Sequence, residues 1–400
     1  MSGLFNGGMD EARHKGKVLA VIGASEFQVP LIRKAQNLGC VVHAFAWQCG
    51  DLGESIADVF HPVSTAERAE VLRICKEVGA DGVCTIGSDF NNITATWVAN
   101  QMGLPANTDD CVRLSTDKRE MRKAFAAAGD PSPVSIPVRE GKSLPKNLDG
   151  LTYPVIVKPS DRSGSRGITR LSNPDGLLDA LASAWDESFC KVALVEEFLE
   201  GDEFSVECMS WEGSHHVLQI TRKFTTGAPH FIETAHLEPA LLLAEERTRV
   251  EQVVTHALDT LGVQQGASHA ELKINGRGEP WIVEIGSRMG GDYIGSDLVP
   301  LSTGIDFVGA VVDVALGVKP DLRGFSSPRA SAVRFVLTEQ DVAALENLQS
   351  THPDLVVCES WSAPVGHAVV DSSTRFGHCI MAADSAEELL PWLSGDGALD

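Results

Sequence analysis

The sequence predicts an α/β protein of two or three domains. Three observations carry that reading. The chain has 400 residues, more than one simple core organises. Between Lys17 and Leu114, short apolar runs alternate with amphipathic stretches, which implies a parallel sheet with helical crossovers. Further on, two acidic strand segments, residues 269–274 and 283–286, flank a tight Asn275-Gly276-Arg277-Gly278 turn. That is a hairpin by turn chemistry and alternation.

In chain order, residues 1–17 have no apolar core ahead of a cleavage site, so they predict a frayed tail and no secretory leader. Residues 17–22, 40–46 and 82–86 are β-rich, and the amphipathic stretches 28–38, 66–78 and 91–102 separate them. They predict an N-terminal Rossmann-like domain over 1–114. Its first turn, Gly23-Ala24-Ser25-Glu26, lacks G-x-G-x-x-G spacing, so Gly23 reads as a tightener of a β–α turn and not as a dinucleotide site. Gly87-Ser88-Asp89-Phe90-Asn91-Asn92 follows the third strand, at a carboxyl end where open sheets bind ligands. Helix capping by Ser88 or Asp89 is the preferred reading.

Thr116 or Asp117 caps a helix that runs to Ala128, and Gly129, Pro131 and Pro133 stop it. After a Pro- and Gly-containing linker, residues 153–160 form a strand carrying Lys158. A small-residue loop, 160–167, turns back into a strand at 168–171. Asn173-Pro174-Asp175 starts a helix, and 191–196 is a strand. Residues 203–210 and 216–223 alternate as antiparallel strands, and a long helix follows across 239–262. After the hairpin and a helix at 306–316, the run Pro320, Gly324, Ser326, Ser327, Pro328 marks a boundary. Residues 330–400 read strand–helix–strand–strand–helix, a small C-terminal α+β domain. The expected layout is therefore 1–114, 115–325 with a lid at about 150–197, and 326–400.

Composition narrows the function. A hydrophobic share of 43% with 22% charged residues is that of an ordinary globular protein. A formal net charge of −22 argues against nucleic acid and anionic membrane as partners, because the long-range field repels polyanions. No apolar run is long enough to span a bilayer. The nine cysteines show no C-x-x-C pair and no zinc-like spacing, which reads as reduced thiols in a cytoplasmic protein.

The chemistry concentrates in four places. The hairpin sets Glu271 and Glu284 close together with Arg288 just beyond. Two converging carboxylates repel unless a proton or cation lies between them, and an oxygen-only pair suits Mg²⁺ with substrate phosphates. Lys158 precedes Ser163-Gly164-Ser165-Arg166-Gly167, where glycines let backbone approach a polyphosphate; taken alone, the stretch reads more readily as a Gly/Ser hairpin loop. The lysine comes before the glycines, so this is not a Walker A loop. Lys118, in the first turn of its helix, reads alone as a solvated lysine. The acidic segment Glu196-Glu197-Phe198-Leu199-Glu200-Gly201-Asp202-Glu203 reads either as a nucleotide hinge or as an acidic surface hairpin. Lys223, His230, Glu233 and His236 read either as a substrate-binding group or as a solvated loop.

The ordered set of lysine, lysine with Gly-rich loop, acidic hinge and acidic hairpin with arginine resembles the ATP-grasp superfamily. The matching elements are Ile156-Val157-Lys158-Pro159, E-x-x-L-x-G-x-E at Glu196 to Glu203, and E-x-x-x-R at Glu284 to Arg288. Within that superfamily the chain is most similar to carboxylate–amine ligases, including the L-amino-acid (dipeptide) ligases. The resemblance implies an ATP-grasp fold with ATP and Mg²⁺ as cofactors. Lys118 and Lys158 would contact the phosphates, and Ser163, Gly164, Ser165 and Gly167 would close over them. Glu196 would lie at the adenine, the Glu197-Phe198-Leu199 hinge would offer backbone atoms to the base, and Glu203 would hold the ribose. Lys223 would join the nucleotide site. Glu271 and Glu284 would ligate Mg²⁺, with Glu284, Lys158 and Arg288 as the catalytic set. Glu233, His236 and Arg288 would face a carboxylate and an amine, and a homodimer is the family expectation. One departure stands out: the family places a third metal ligand, usually Asn, two residues after the second Glu, where this chain has Gly286.

The function implied is ATP-dependent formation of an amide, a dipeptide from L-amino acids, through an acylphosphate with release of ADP and phosphate. The alternatives are an ATP-grasp ligase or carboxylase with another substrate, and an ATP-binding regulatory module without catalysis.

Overall fold

The alternating N-terminal segment folds into a four-stranded parallel sheet in the computed structural model, which describes residues 12–162, 166–228 and 231–393. Its strands are β1 (Val18–Ile22), β2 (Val41–Phe45), β3 (Val59–His61) and β4 (Gly82–Cys84), in the order β3-β2-β1-β4. β3 escapes the sequence reading because it has only three residues, none of them buried. Leu19 and Val21 face one core, shared with the helix Val29–Asn37 and with Phe307–Ala315 from much later in the chain. Ala20 and Ile22 face the other, beneath the helices Arg68–Val78 and Asp89–Met102. Burial on both faces is what a parallel sheet with helical crossovers requires. The Gly23 turn is filled by protein: a Cβ there would lie 2.5 Å from Asn91 Nδ2 and 2.7 Å from Gln28 Oε1.

A second sheet is antiparallel, with β5 (Ser135–Arg139), β6 (Val155–Pro159), β7 (Thr169–Leu171) and β8 (Val192–Glu197) in the order β5-β8-β6-β7. The helix Leu177–Glu187 covers it, and its core of Val155, Val157, Leu181, Ala184 and Val195 is its own. This helix starts later than Asn173-Pro174-Asp175 suggests, after Gly176 at φ 81°.

The third sheet has eight strands. β9 (Asp202–Trp211), β10 (Ser214–Thr225), β11 (Glu233–Glu238), β12 (Gly266–Ile274) and β13 (Pro280–Gly286) precede β14 (Ala330–Val336), β15 (Val356–Trp361) and β16 (Gly377–Ala383). The order is β13-β12-β9-β10-β11-β14-β16-β15. β14 pairs with β11, so the C-terminal strand–helix–strand–strand–helix unit extends the same sheet. The helix expected from Pro239 begins five residues later, at Ala244, and runs to Leu261. Ala240 N still donates to Ile220 O at 2.8 Å, which ties residues after β11 to the sheet. Among the described residues, no single helix is long and apolar enough to cross a membrane.

Candidate functional site

Chemistry-bearing residues from all three sheets line one cavity of about 880 Å³. The hairpin supplies its acidic wall. β12 and β13 pair in register with Glu271 opposite Glu284, followed by a bulge at Glu271/Leu272. Directly opposed residues on one sheet face bring their side chains together, so the two carboxylates converge. Each is met by a lysine: Lys118 Nζ lies 2.7 Å from Glu284 and Lys223 Nζ 2.7 Å from Glu271. Gly201, the glycine of the hinge pattern, sits at φ 124°, where a Cβ would lie 2.1 Å from Ile274 O. Only glycine lets the hinge pass that close to the hairpin.

The lysines are not solvated. Lys118 is the first residue of the helix Lys118–Ala128, capped by Asp117, and is buried with its ammonium also donating to Arg162 O at 2.9 Å. Burial alone would lower its pKa, but Glu284, Asp89 and Glu271 outweigh that and raise it. Lys223 has Glu271, Glu203 at 3.3 Å and Glu233 at 3.6 Å around it. Burial again opposes its charge, and the three carboxylates carry its pKa well above the ordinary lysine value. Glu271 responds reciprocally: burial pushes it up, while Lys223 and His269 hold it well below the usual carboxylate range.

Lys158, on β6, pairs with Glu196 of β8 at 2.7 Å. Glu196 also accepts from Arg122 Nε at 2.8 Å and Nη2 at 3.3 Å. Its carboxyl is drawn down to about 2, because the two cations outweigh burial. Lys158 moves the other way, lowered by burial and by the nearby Arg122 and Lys118 despite Glu196. The Glu196 side chain, which lines the cavity, is thus committed to Lys158 and Arg122. Arg122 was not singled out from the sequence. Its signal is the i,i+4 spacing from Lys118, which puts both on one helix face. Its Nη1 is buried without a hydrogen-bond partner among the described residues.

In the hinge, Glu197 N donates to Val134 O at 3.1 Å and Phe198 N to Pro154 O at 3.0 Å. Among the described residues the Leu199 N–H donates to no acceptor, so of the expected hinge amides it is the one uncommitted, and that of Glu197 is already used. Phe198 is flanked by Arg170 at 4.7 Å and Lys273 at 4.8 Å from its ring centre. Ser163, Gly164, Ser165 and His230 lie outside the described residues; Gly167 sits at φ 64° beside Glu187.

The remaining wall comes from β11 and the C-terminal unit. His236 is fully buried and lines the cavity, with neither ring nitrogen hydrogen-bonded and Asp292 Oδ2 3.7 Å from Nε2. Burial lowers its pKa, so the ring is neutral at neutral pH. Glu233 accepts from Ser372 Oγ, while Arg375 pairs with Asp292 at 2.6 Å and lies 3.6 Å from the Phe335 ring centre. Arg375 and Asp292 were not found from the sequence, because they are 83 residues apart and no pattern links them. His269 was also missed; it shares a strand face with Glu271 and is clamped by the buried Glu207, which also accepts from Gly290 N at 3.1 Å.

Arg288 donates to Asp89, at 2.8 Å from Nε and 3.0 Å from Nη2. Among the described residues no group of three or more His, Cys, Asp or Glu is arranged to hold a metal. The opposed Glu271 and Glu284 offer only oxygen donors, the ligand type that suits Mg²⁺.

Residues 151–297 match the family model of the ATP-grasp domain. The chain is 25% identical over 275 residues to the alanine–anticapsin ligase of Bacillus subtilis, covering 60% of this chain and 58% of that protein. It is 25% identical over 272 residues to the D-alanine–D-alanine ligase of Hydrogenovibrio crunogenus, covering 60% and 84%. The crystal structure of the L-amino acid ligase from Bacillus licheniformis superposes with a TM-score of 0.79 at 24% identity, over 95% of this chain and 96% of that one. That likeness shows the fold, which is the ATP-grasp fold.

Proposed function

We propose that this chain, an ATP-grasp protein, joins a carboxylic acid to an amine at the expense of ATP, releasing ADP and phosphate, and that L-amino acids are its substrates. The observation that carries this reading is the convergence of Glu271, Glu284 and Arg288 with Lys118 and Lys158 on one cavity. The names of the relatives, ligases of alanine and of D-alanine, support the choice of amino acids.

The residues fit the groups this chemistry needs. Among the described residues, Arg122 Nη1 is a buried donor with no acceptor, and Leu199 N–H is a second uncommitted donor at the hinge. Glu271 and Glu284 would hold Mg²⁺, which when bound neutralises charge on the phosphates. Lys118 and Lys158 bring two further positive charges into the same wall, so phosphoryl transfer gains from positioning and charge neutralisation. A substrate carboxylate would take the γ-phosphoryl group to give an acylphosphate and ADP. The amine would then attack the acyl carbon, and the tetrahedral intermediate would expel phosphate. Arg288, just beyond Glu284, would neutralise the developing oxyanion. The neutral His236 ring can take the proton that the attacking amine loses, and Glu233 can hold the ammonium beforehand. The four-stranded sheet β5-β8-β6-β7, with its own core, serves as the lid that keeps water from the acylphosphate. All nine cysteines are free thiols, which supports a cytoplasmic setting.

The test is ADP and phosphate release with Mg·ATP against pairwise pools of L-amino acids, with mass spectrometry of the same wells. Stimulated ADP release with a new amide mass is expected. AMP and pyrophosphate would overturn the mechanism, and bound ATP without stimulation by any acid or amine would favour a binding module.

A further inference from the structure

The turn that the sequence offers as a helix cap, Gly87 to Asn92, does more than cap. Ser88 alone caps the helix Asp89–Met102, its hydroxyl accepting from Asn91 N at 3.2 Å. The next residue, Asp89, commits its carboxylate to Arg288, 199 residues away, in a parallel two-bond fork of 2.8 and 3.0 Å. The same turn is docked on the same segment by other bonds. Gly87 N donates to Met289 O at 3.1 Å, and Asn92 Nδ2 donates to Ser287 O at 3.1 Å and to its Oγ at 3.3 Å. A loop of the parallel sheet therefore grips the chain on either side of Arg288.

The fork also explains Gly286. That position shares a strand face with Glu284, and the family pattern puts a side chain there. In this chain a Cβ at Gly286 would lie 3.0 Å from Asp89 Oδ1 and 3.4 Å from Arg288 Cζ. The space is already filled by a carboxylate that arrives from the N-terminal sheet.

We propose that Asp89 is a positioning residue for the ligase reaction: it holds the Arg288 guanidinium beside Glu284 and stands where a side chain at position 286 would otherwise project. This rests on the ligase reading above. The fork uses Nε and Nη2, and Nη1 donates to Met289 O at 3.3 Å. Of the five guanidinium hydrogens, one on Nη1 and one on Nη2 are left to meet a developing negative charge. Without the fork, a long side chain with several rotatable bonds regains its rotamer freedom, and a misplacement of about 1 Å at a reacting centre costs on the order of 10²-fold in rate.

The experiment combines steady-state kinetics with chemical modification. Asp89→Asn keeps the shape and removes the charge; kcat is expected to fall roughly 10- to 100-fold with KM for ATP little changed. Asp89→Glu, which keeps the charge, should lose less. Gly286→Asn should lower kcat in the wild-type background by crowding the fork, and cost less in an Asp89→Ala background, where the space is open. Because a side chain at 286 would touch Asp89, the two changes should couple and not add. An unchanged kcat for Asp89→Asn, or additive losses in the double variant, overturns the proposal. Phenylglyoxal modification of Arg288, followed by peptide mass mapping on the full chain, gives a readout without turnover. Faster modification in Asp89→Asn is expected, and equal rates overturn the proposal. If the wild type forms no amide from any pair, the ligase reading falls, and the modification rates still decide whether Asp89 holds Arg288.

Discussion

Replacing Glu196 by glutamine separates two accounts of the nucleotide end of the site. The carboxylate of Glu196 accepts from Arg122 at 2.8 and 3.3 Å and meets Lys158 at 2.7 Å. The three residues are 1%, 5% and 6% exposed, respectively for Glu196, Arg122 and Lys158. Glutamine keeps the shape but leaves two buried cations facing one amide oxygen. The cost can be reached by two routes. The carboxyl lies at about 2 in the fold against an ordinary 4.5, and at 1.36 kcal/mol per pH unit that gap is about 3 kcal/mol. Orphaning one side of a buried pair independently costs about 3–5 kcal/mol. The two agree. Because the folded pKa is depressed, this stability is present above about pH 4.5 and is lost as pH falls toward 2. The assay is urea unfolding followed by tryptophan fluorescence. Trp185, on the helix Leu177–Glu187, reports on the β5-β8-β6-β7 sheet that this helix covers, its indole N–H donating to Val138 O at 3.0 Å. Wild type and Glu196→Gln should differ by about 3–5 kcal/mol at neutral pH, with the gap closing in acid. A loss below about 1 kcal/mol, accompanied by a raised KM for ATP, would refute the charge-triad reasoning and return Glu196 to the adenine contact of the family pattern.

Three further outcomes follow from the same geometry. Glu284→Gln should cut turnover by at least about 100-fold, since it removes charge from the proposed metal pair and frees Lys118; near-normal ADP formation would contradict the metal assignment. Lys158→Ala should raise the apparent KM for ATP about tenfold, the loss of one charge-assisted contact, and an unchanged value would move the phosphate site elsewhere. Glu238, fully buried and bonded only to the hydroxyls of Thr221 and Ser302 at 2.9 Å, has its carboxyl pushed up to about 8, chiefly by burial. A raised folded pKa means that the stabilisation is complete below about pH 4.5 and is lost as pH rises through about 8, on the order of 5 kcal/mol in all. Denaturant midpoints measured across that window should fall for the wild type and stay flatter for Glu238→Gln; identical slopes would show that Glu238 is not the group titrating.

The chain's own pattern was enough for much of this protein. Alternating apolar runs and amphipathic stretches specify the parallel sheet, because burial on two faces leaves a mark in each segment. Turn chemistry at Asn275 to Gly278 specifies the hairpin, but register carried out from that turn would set Glu271 opposite Val283; the bulge at Glu271/Leu272, which leaves no mark in the sequence, brings Glu271 opposite Glu284. The glycine of the hinge pattern is legible as a residue type, although its reason, the approach of Ile274 O, is not.

What the pattern could not decide is which charge meets which. Lys118 reads as solvated and is buried against Glu284, and Glu196 reads as a base contact and closes a triad with Arg122 and Lys158. Gly286 reads as a missing ligand, while Asp89, which opens the helix after β4, lies 3.0 Å from where a Cβ at 286 would project and pairs with Arg288. Arg375 and Asp292 carry no sequence signal at all. The physical reason is common to these cases. A side chain's charge is balanced by whatever the packing of distant elements brings within about 4 Å, where coupling in a low-dielectric interior is strong, and neither propensity nor periodicity encodes those distances. Local backbone geometry belongs to the sequence; the electrostatic partners are settled only when the three sheets close on one cavity.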